Sequence, residues 1–219
     1  MGSLNQVQIS ILTGSLLGDG TLRKALGKLN ALFEVNHTIK QKAYVDWKYE
    51  QLRLFVLTAP KSRKGNGSRI AYRFTTQSLQ PFTELRKQFY LDNRKIIPAE
   101  LQLDPLALAV WFMDDGCKSR SSYYLNTQQF SMEDQLRLLA MLKKQFDLDA
   151  TLNKDKIYYR IRINTESSKR FKEIIKPFVI PSMRYKLGDD PVTTDSKEEI
   201  RQLMTNNTPT LVTTRQTKA

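Results

Sequence analysis

The chain of 219 residues carries 35 Lys and Arg against 22 Asp and Glu, a net charge of +13, and 40% of it is hydrophobic. A single cysteine, Cys117, excludes an internal disulfide, and with one histidine, His37, no zinc site is plausible. No apolar run approaches the ~18 residues of a membrane span, and the charge surplus points instead to a polyanionic partner such as nucleic acid.

The length permits one large domain or two of about 100 residues. Residues Met1–Gln6 lack the basic and apolar regions of a secretory signal, so a reduced, soluble, intracellular protein is expected. Residues 5–18 read as a helix whose apolar positions (Val7, Ile9, Ile11, Leu12, Leu16, Leu17) cover much of its surface, which predicts burial. It stops at Asp19-Gly20. Residues 105–114 form a second such helix, with Asp104 as N-cap and Pro105 at the first helical position, and stop at Asp115-Gly116. A carboxylate at a helix C-terminus meets roughly half a negative charge and is repelled unless a cation offsets it. Two such endings suggest a repeat that delivers two acids to one place. Gly14 and Gly18 would let the first helix approach a partner closely; Val110 and Asp114 stand at those positions in the second copy.

The pattern after each Asp-Gly repeats. A basic stretch follows (Arg23, Lys24, Lys28; Lys118, Arg120), then a strand ending at His37 in the first half and at Asn126-Thr-Gln128 in the second. Amphipathic helices are predicted at about 41–55 and 131–146, the latter with a capping box starting at Ser131. Strands follow, of which Ile157–Ile163 alternates strictly: Ile157, Tyr159, Ile161 and Ile163 on one side, Tyr158, Arg160, Arg162 and Asn164 on the other. Ile70–Phe74 alternates likewise, with Arg69, Ala71, Arg73 and Thr75 on its polar face. Helices at about 79–90 and 167–176 close each half, and the Thr- and Asn-rich residues 205–219 read as a mobile tail.

Between Lys61 and Arg73 stand five basic residues (Lys61, Arg63, Lys64, Arg69, Arg73) and no acid. A sheet face of Arg, Tyr, Asn and Thr suits a DNA groove, where Arg forks onto guanine and Asn pairs with adenine. Lysines around it, including Lys154 and Lys156, would neutralise phosphates. A solvated polar face explains one such strand; two at matching places in a basic chain favour nucleic acid.

The chain resembles the LAGLIDADG homing endonucleases in their single-chain, two-motif form. Leu12–Gly20 and Leu108–Gly116 align with the nine-residue signature without gaps, and the likeness extends from about residue 5 to 188. The resemblance implies an α+β fold of two pseudosymmetric αββαββα repeats, residues 1–100 and 101–204, with the motif helices packed at the centre and two saddle-shaped antiparallel sheets over DNA. It pairs Asp19 with Asp115 as the metal-binding and catalytic acids, leaves Asp114 opposite Gly18, and makes the carbonyls of Gly18 and Asp114 co-ligands. It also places Lys95 and Lys186 at matching positions near the metal, to lower the pKa of a water or to stabilise charge in the transition state. His37 and Gln128 fall where the family often has a water-positioning residue, although His37 is also readable as a DNA contact or a structural residue.

The implied activity is Mg²⁺-dependent double-strand cleavage, with Mn²⁺ as substitute, by a monomer that leaves short 3′ overhangs at a long asymmetric DNA target. An intron RNA maturase is the alternative, and a DNA-binding regulator that has lost catalysis is a third. The retained acids argue against the third. An organellar host is expected in a eukaryote and a cytoplasmic location in a prokaryote.

Overall fold

The first motif helix starts where its sequence provides a cap. In the computed structural model, which describes residues 3–65 and 67–188, α1 spans Gln6–Leu17. The Asn5 side chain accepts from the Gln8 backbone N–H, and the Gln8 side chain accepts from that of Asn5, so two otherwise unpaired donors are satisfied reciprocally. The second motif helix, α4 (Pro105–Asp115), uses Asp104 as N-cap, bonded to the Ala107 N–H at 2.8 Å, and has Pro105 in its first turn, as expected. Asp104 also accepts from the Ser10 hydroxyl, which ties the start of α4 to α1.

Around these helices the described chain is an α+β fold with the expected order, helix, two strands, helix, two strands, helix, twice over. The first half adds β1 (Thr21–Lys24), β2 (Ala31–Thr38), α2 (Lys42–Leu52), β3 (Lys61–Lys64), β4 (Ile70–Thr75) and α3 (Gln80–Phe89). A hairpin, β5 (Tyr90–Leu91) and β6 (Arg94–Lys95), follows; Asp92 and Asn93 at its tip both have positive φ, as a tight two-residue turn requires. The second half contains β7 (Gly116–Ser119), β8 (Ser122–Leu125), α5 (Met132–Phe146), β9 (Ala150–Asp155), β10 (Tyr158–Ile163) and α6 (Thr165–Ile175), then a 3₁₀ run, Pro181–Leu187. The sheets have matching antiparallel orders, β1-β2-β4-β3 and β7-β8-β10-β9.

The core joins both halves. Leu12, Leu16 and Leu17 of α1 are buried with Leu108, Trp111 and Phe112 of α4, and the apolar sheet faces (Phe33, Val35, Phe74; Leu125, Ile161, Ile163) close over them. Val7 and Ile9, expected to be buried, are instead substantially exposed near the free end of α1. Ile70 and Ile157 also emerge into solvent at the ends of their hairpins, although their alternation assigned them to apolar faces.

The described residues, 3–65 and 67–188, form one compact unit. The expected second repeat extends to residue 204 and the expected tail covers 205–219; residues 189–219 lie outside those described. No described helix is long and apolar enough to cross a membrane.

Candidate active site

The two motif helices are brought together by the absence of side chains. A Cβ on Gly14 would lie 2.3 Å from the Ala107 carbonyl oxygen and 2.8 Å from the Val110 Cβ, and one on Gly18 would lie 2.4 Å from the Asp114 Cβ. Each glycine faces the residue at its own position in the other motif, as expected for helices related by an approximate twofold axis. Close approach at Gly18 carries the two helix ends, and so the two acids, to one cleft.

That cleft, about 360 Å³, is lined by Gly18, Asp19, Thr21, Lys95, Asp115, Asn126, Gln128 and Gln129. Asp19 is half-exposed and Asp115 partly buried. Burial and the nearby Asp114 charge raise the Asp19 carboxyl above its ordinary value, against the pull of Lys48, Lys186 and Lys95. Asp115 is pushed up to about 7 by burial and by the charges of Asp19 and Asp114. Among the described residues no lysine or arginine lies within ion-pair distance of either acid. Two carboxylates that share a cleft and have no lysine or arginine in direct ion-pair contact suit a divalent ion. The described residues hold no cluster of three His, Cys, Asp or Glu placed to hold a metal, so a divalent ion on the two acids would need further ligands such as water or phosphate oxygens.

The two lysines sit where the helix ends are most negative. Lys95 donates to the Gly18 carbonyl at 2.6 Å, and Lys186 to those of Met113 and Asp114 at 2.6 and 2.9 Å. Each ammonium thus caps the motif helix of its own half and offsets its C-terminal partial charge. The carbonyls expected as metal co-ligands each hold a lysine. Burial lowers both lysines, Lys95 to about 8, against the raising effect of Asp115, Asp114 and Asp19.

His37 requires a correction. It is 3% exposed, with its nitrogens 3.5 Å from Asp19 and 3.6 Å from Asp114, and burial lowers it to about 4. It does not line the cleft, and burial removes it as a DNA contact. Nor does it match Gln128. Thr21 pairs with Glu34 in the first sheet and Cys117 with Tyr124 in the second, which aligns Asn36 with Asn126 and His37 with Thr127. Gln128 does line the cleft, and its amide donates to Asp155 at 2.9 Å.

The most informative residue missed by the sequence reading is Lys48, on α2. Its Nζ donates to both Asp114 carboxylate oxygens, at 2.7 and 3.0 Å, and it is 0% exposed. Lys48 stands on the stripe of Tyr44, Val45 and Leu52, all buried. A lysine on an apolar stripe together with an acid on an apolar helix was the signal, since neither can be buried unpaired.

The expected groove-reading faces exist. In the first sheet, cross-strand pairing places Lys61, Arg73 and Asn36 on one face with Arg23, Arg63 and Thr75. Arg23 and Arg73 share Glu34, at 2.9 and 3.5 Å. In the second sheet Arg160 lies 4.4 Å over the Tyr124 ring and 3.5 Å from Asn126, while Arg162 donates to the Ser122 hydroxyl at 3.1 Å. Strand alternation adds Tyr158 to this face and continues the first through Arg69. Lys24, Lys64, Lys118 and Lys154, expected among the DNA contacts, point to the opposite sides of their sheets from these arginines. Lys28, Arg120 and Lys156 lie in hairpin loops.

A family model described as the LAGLIDADG DNA endonuclease family matches residues 9–171. The chain belongs to this family. As a LAGLIDADG protein it is 30% identical over 215 residues to the cytochrome b mRNA maturase bI2 of Saccharomyces cerevisiae, covering 86% of this chain and 49% of the relative. It is 29% identical over 211 residues to the DNA endonuclease I-ChuI of Chlamydomonas applanata, covering 85% and 97%. The solved structure of the homing endonuclease I-WcaI bound to its DNA recognition sequence superposes with a TM-score of 0.80 at 28% identity, covering 85% of this chain and 88% of that one. This LAGLIDADG chain therefore spans nearly all of some relatives and about half the length of others.

Proposed function

We propose that the protein is a site-specific DNA endonuclease that needs a divalent metal, Mg²⁺ or in its place Mn²⁺, and cuts both strands of a long asymmetric target to leave short 3′ overhangs. The observation that carries this reading is the pair Asp19 and Asp115, joined in one cleft with raised carboxyl pKa values and no lysine or arginine partner. Their carboxylates would hold divalent metal, with the Gly18 and Asp114 carbonyls as co-ligands. When bound, the cation supplies charge relief at the phosphoryl group and an activated water. The chain's own residues do the rest. Lys95 and Lys186 keep positive charge beside the acids, favouring the extra negative charge of the transition state. Gln128 and Asn126 offer the cleft amide groups that orient water or phosphate. Arg73 and Arg160 read base edges from equivalent places on the two sheets, and the loop cations Lys28, Arg120 and Lys156 hold the backbone. The approximate symmetry already lies within one chain, so a monomer suffices.

A second reading, an RNA maturase acting on a host intron, is favoured by the named maturase relatives. The same names, with their cytochrome b message, favour an organellar host. Selection of cut sites from a randomised duplex library with Mg²⁺, alongside a splicing assay with host intron RNA, separates the two. Recovery of one extended asymmetric site supports the nuclease; splicing assistance without DNA cutting overturns it in favour of the maturase.

A further inference from the structure

The two acids rest on different foundations. Beneath Asp19, His37 presents Nδ1 to its carboxylate at 3.5 Å and Nε2 to the Asp114 carboxylate at 3.6 Å. Asp114 is in turn gripped by Lys48 at 2.7 and 3.0 Å. Tyr44 closes the stack, with its ring 5.4 Å from the imidazole and 4.5 Å from Lys48 Nζ, and its hydroxyl donating to the Val110 carbonyl at 3.3 Å. Lys48 and Tyr44 are fully buried, and Asp114 and His37 nearly so.

Beneath Asp115 the counterparts of His37 and Asp114 are Thr127 and Gly18. Thr127 donates its hydroxyl to the Gln135 side chain at 2.9 Å, and Gly18 has no side chain. A buried ion pair is a poor source of stability compared with apolar residues of the same volume. Stability alone therefore gives no reason for Lys48 and Asp114 to stand here, whereas holding an acid in place does.

We propose that Lys48, Asp114 and His37 form a buried buttress that fixes the Asp19 carboxylate and has no equivalent under Asp115, so that the two DNA strands are cut with unequal dependence on it. This rests on the nuclease reading. Lys48 and His37 do not line the cleft; they are positioning residues that act through Asp114 and Asp19. Loosening the buttress misplaces one acid and leaves the cationic sheet faces untouched, so one strand is cut late while DNA affinity holds.

The test uses a supercoiled plasmid bearing the site that the wild type selects, with each strand labelled separately. Two variants are compared: His37→Thr, and the double variant Lys48→Met/Asp114→Leu, which removes both buried charges together and so protects the fold. The expected result is accumulation of nicked circles. One and the same strand is slowed about tenfold or more beyond the other in both variants, and DNA affinity is unchanged. Equal slowing of both strands, or no slowing, overturns the buttress while leaving the nuclease reading intact. A wild type that binds DNA and never cuts it overturns both.

Discussion

Gly18 and Asp114 face each other where the motif helices meet, so closely that a Cβ on Gly18 would lie 2.4 Å from that of Asp114. The same position in the two repeats has become empty space in one and a buried carboxylate in the other. The approximate symmetry of the fold is kept because the asymmetry is complementary.

The crossing of the helices follows from this. At Gly14 the obstacle to a side chain is backbone, the Ala107 carbonyl, which no change of rotamer relieves. Gly14→Ala is expected to cost about 1–3 kcal/mol or more, by forcing the helices apart. Urea denaturation measures the loss, and an unchanged midpoint would show that α1 and α4 do not pack this way.

The Lys48–Asp114 pair gives a second stability prediction. Lys48→Met leaves a carboxylate buried without a partner and is expected to cost about 3–5 kcal/mol, whereas Lys48→Met/Asp114→Leu is expected to be close to neutral. Thermal unfolding of the three proteins decides it. Equal losses in the single and double variants would contradict a buried pair.

Asp115 makes metal-free stability depend on pH. Its carboxyl is pushed up to about 7 in the folded protein from an ordinary 3.8. The folded state therefore binds this proton more tightly than the unfolded chain, and stability falls as pH rises through that window. Without divalent ions Asp115→Asn should be more stable than the wild type near about pH 8, by roughly 2–4 kcal/mol, with the gap closing below about pH 4. Added Mg²⁺ should narrow it by stabilising only the wild type. Denaturant titrations across this range, with and without Mg²⁺, measure both effects.

On the sheets, Arg73 and Arg160 occupy matching positions, each beside an asparagine of the neighbouring strand. Arg160→Ala is expected to weaken binding by about 1–3 kcal/mol and to relax preference at one base pair. Loss of the loop cation in Lys156→Ala should weaken all sequences alike and reduce the salt dependence by about one phosphate contact. Binding profiles over variant sites at several salt concentrations distinguish the two.

The repeat, the caps of α4 and the pairing of Asp19 with Asp115 were legible in the sequence because each is local: an apolar run, a cap, an Asp-Gly end. The Lys48–Asp114 pair was not, because it joins two halves of the chain and shows only once both helices are docked. In the sequence His37 and Gln128 both read as strand ends, which aligns them with each other. In fact β2 continues to Thr38 while β8 stops at Leu125, and only the cross-strand register reveals Thr127 as the counterpart. Lys24, Lys64, Lys118 and Lys154 belong to basic segments in the sequence, and only the alternation that sends neighbouring side chains to opposite faces separates them from the arginines of the groove-reading faces.

The most direct test of the account is single-turnover cleavage of the selected site, at saturating protein, by the wild type, Asp19→Asn and Asp115→Asn, with Mg²⁺ and with chelator. The account predicts a double-strand break only by the wild type with Mg²⁺, while both variants keep wild-type affinity for DNA. A double-strand break by Asp115→Asn, or by the wild type in chelator, would contradict it.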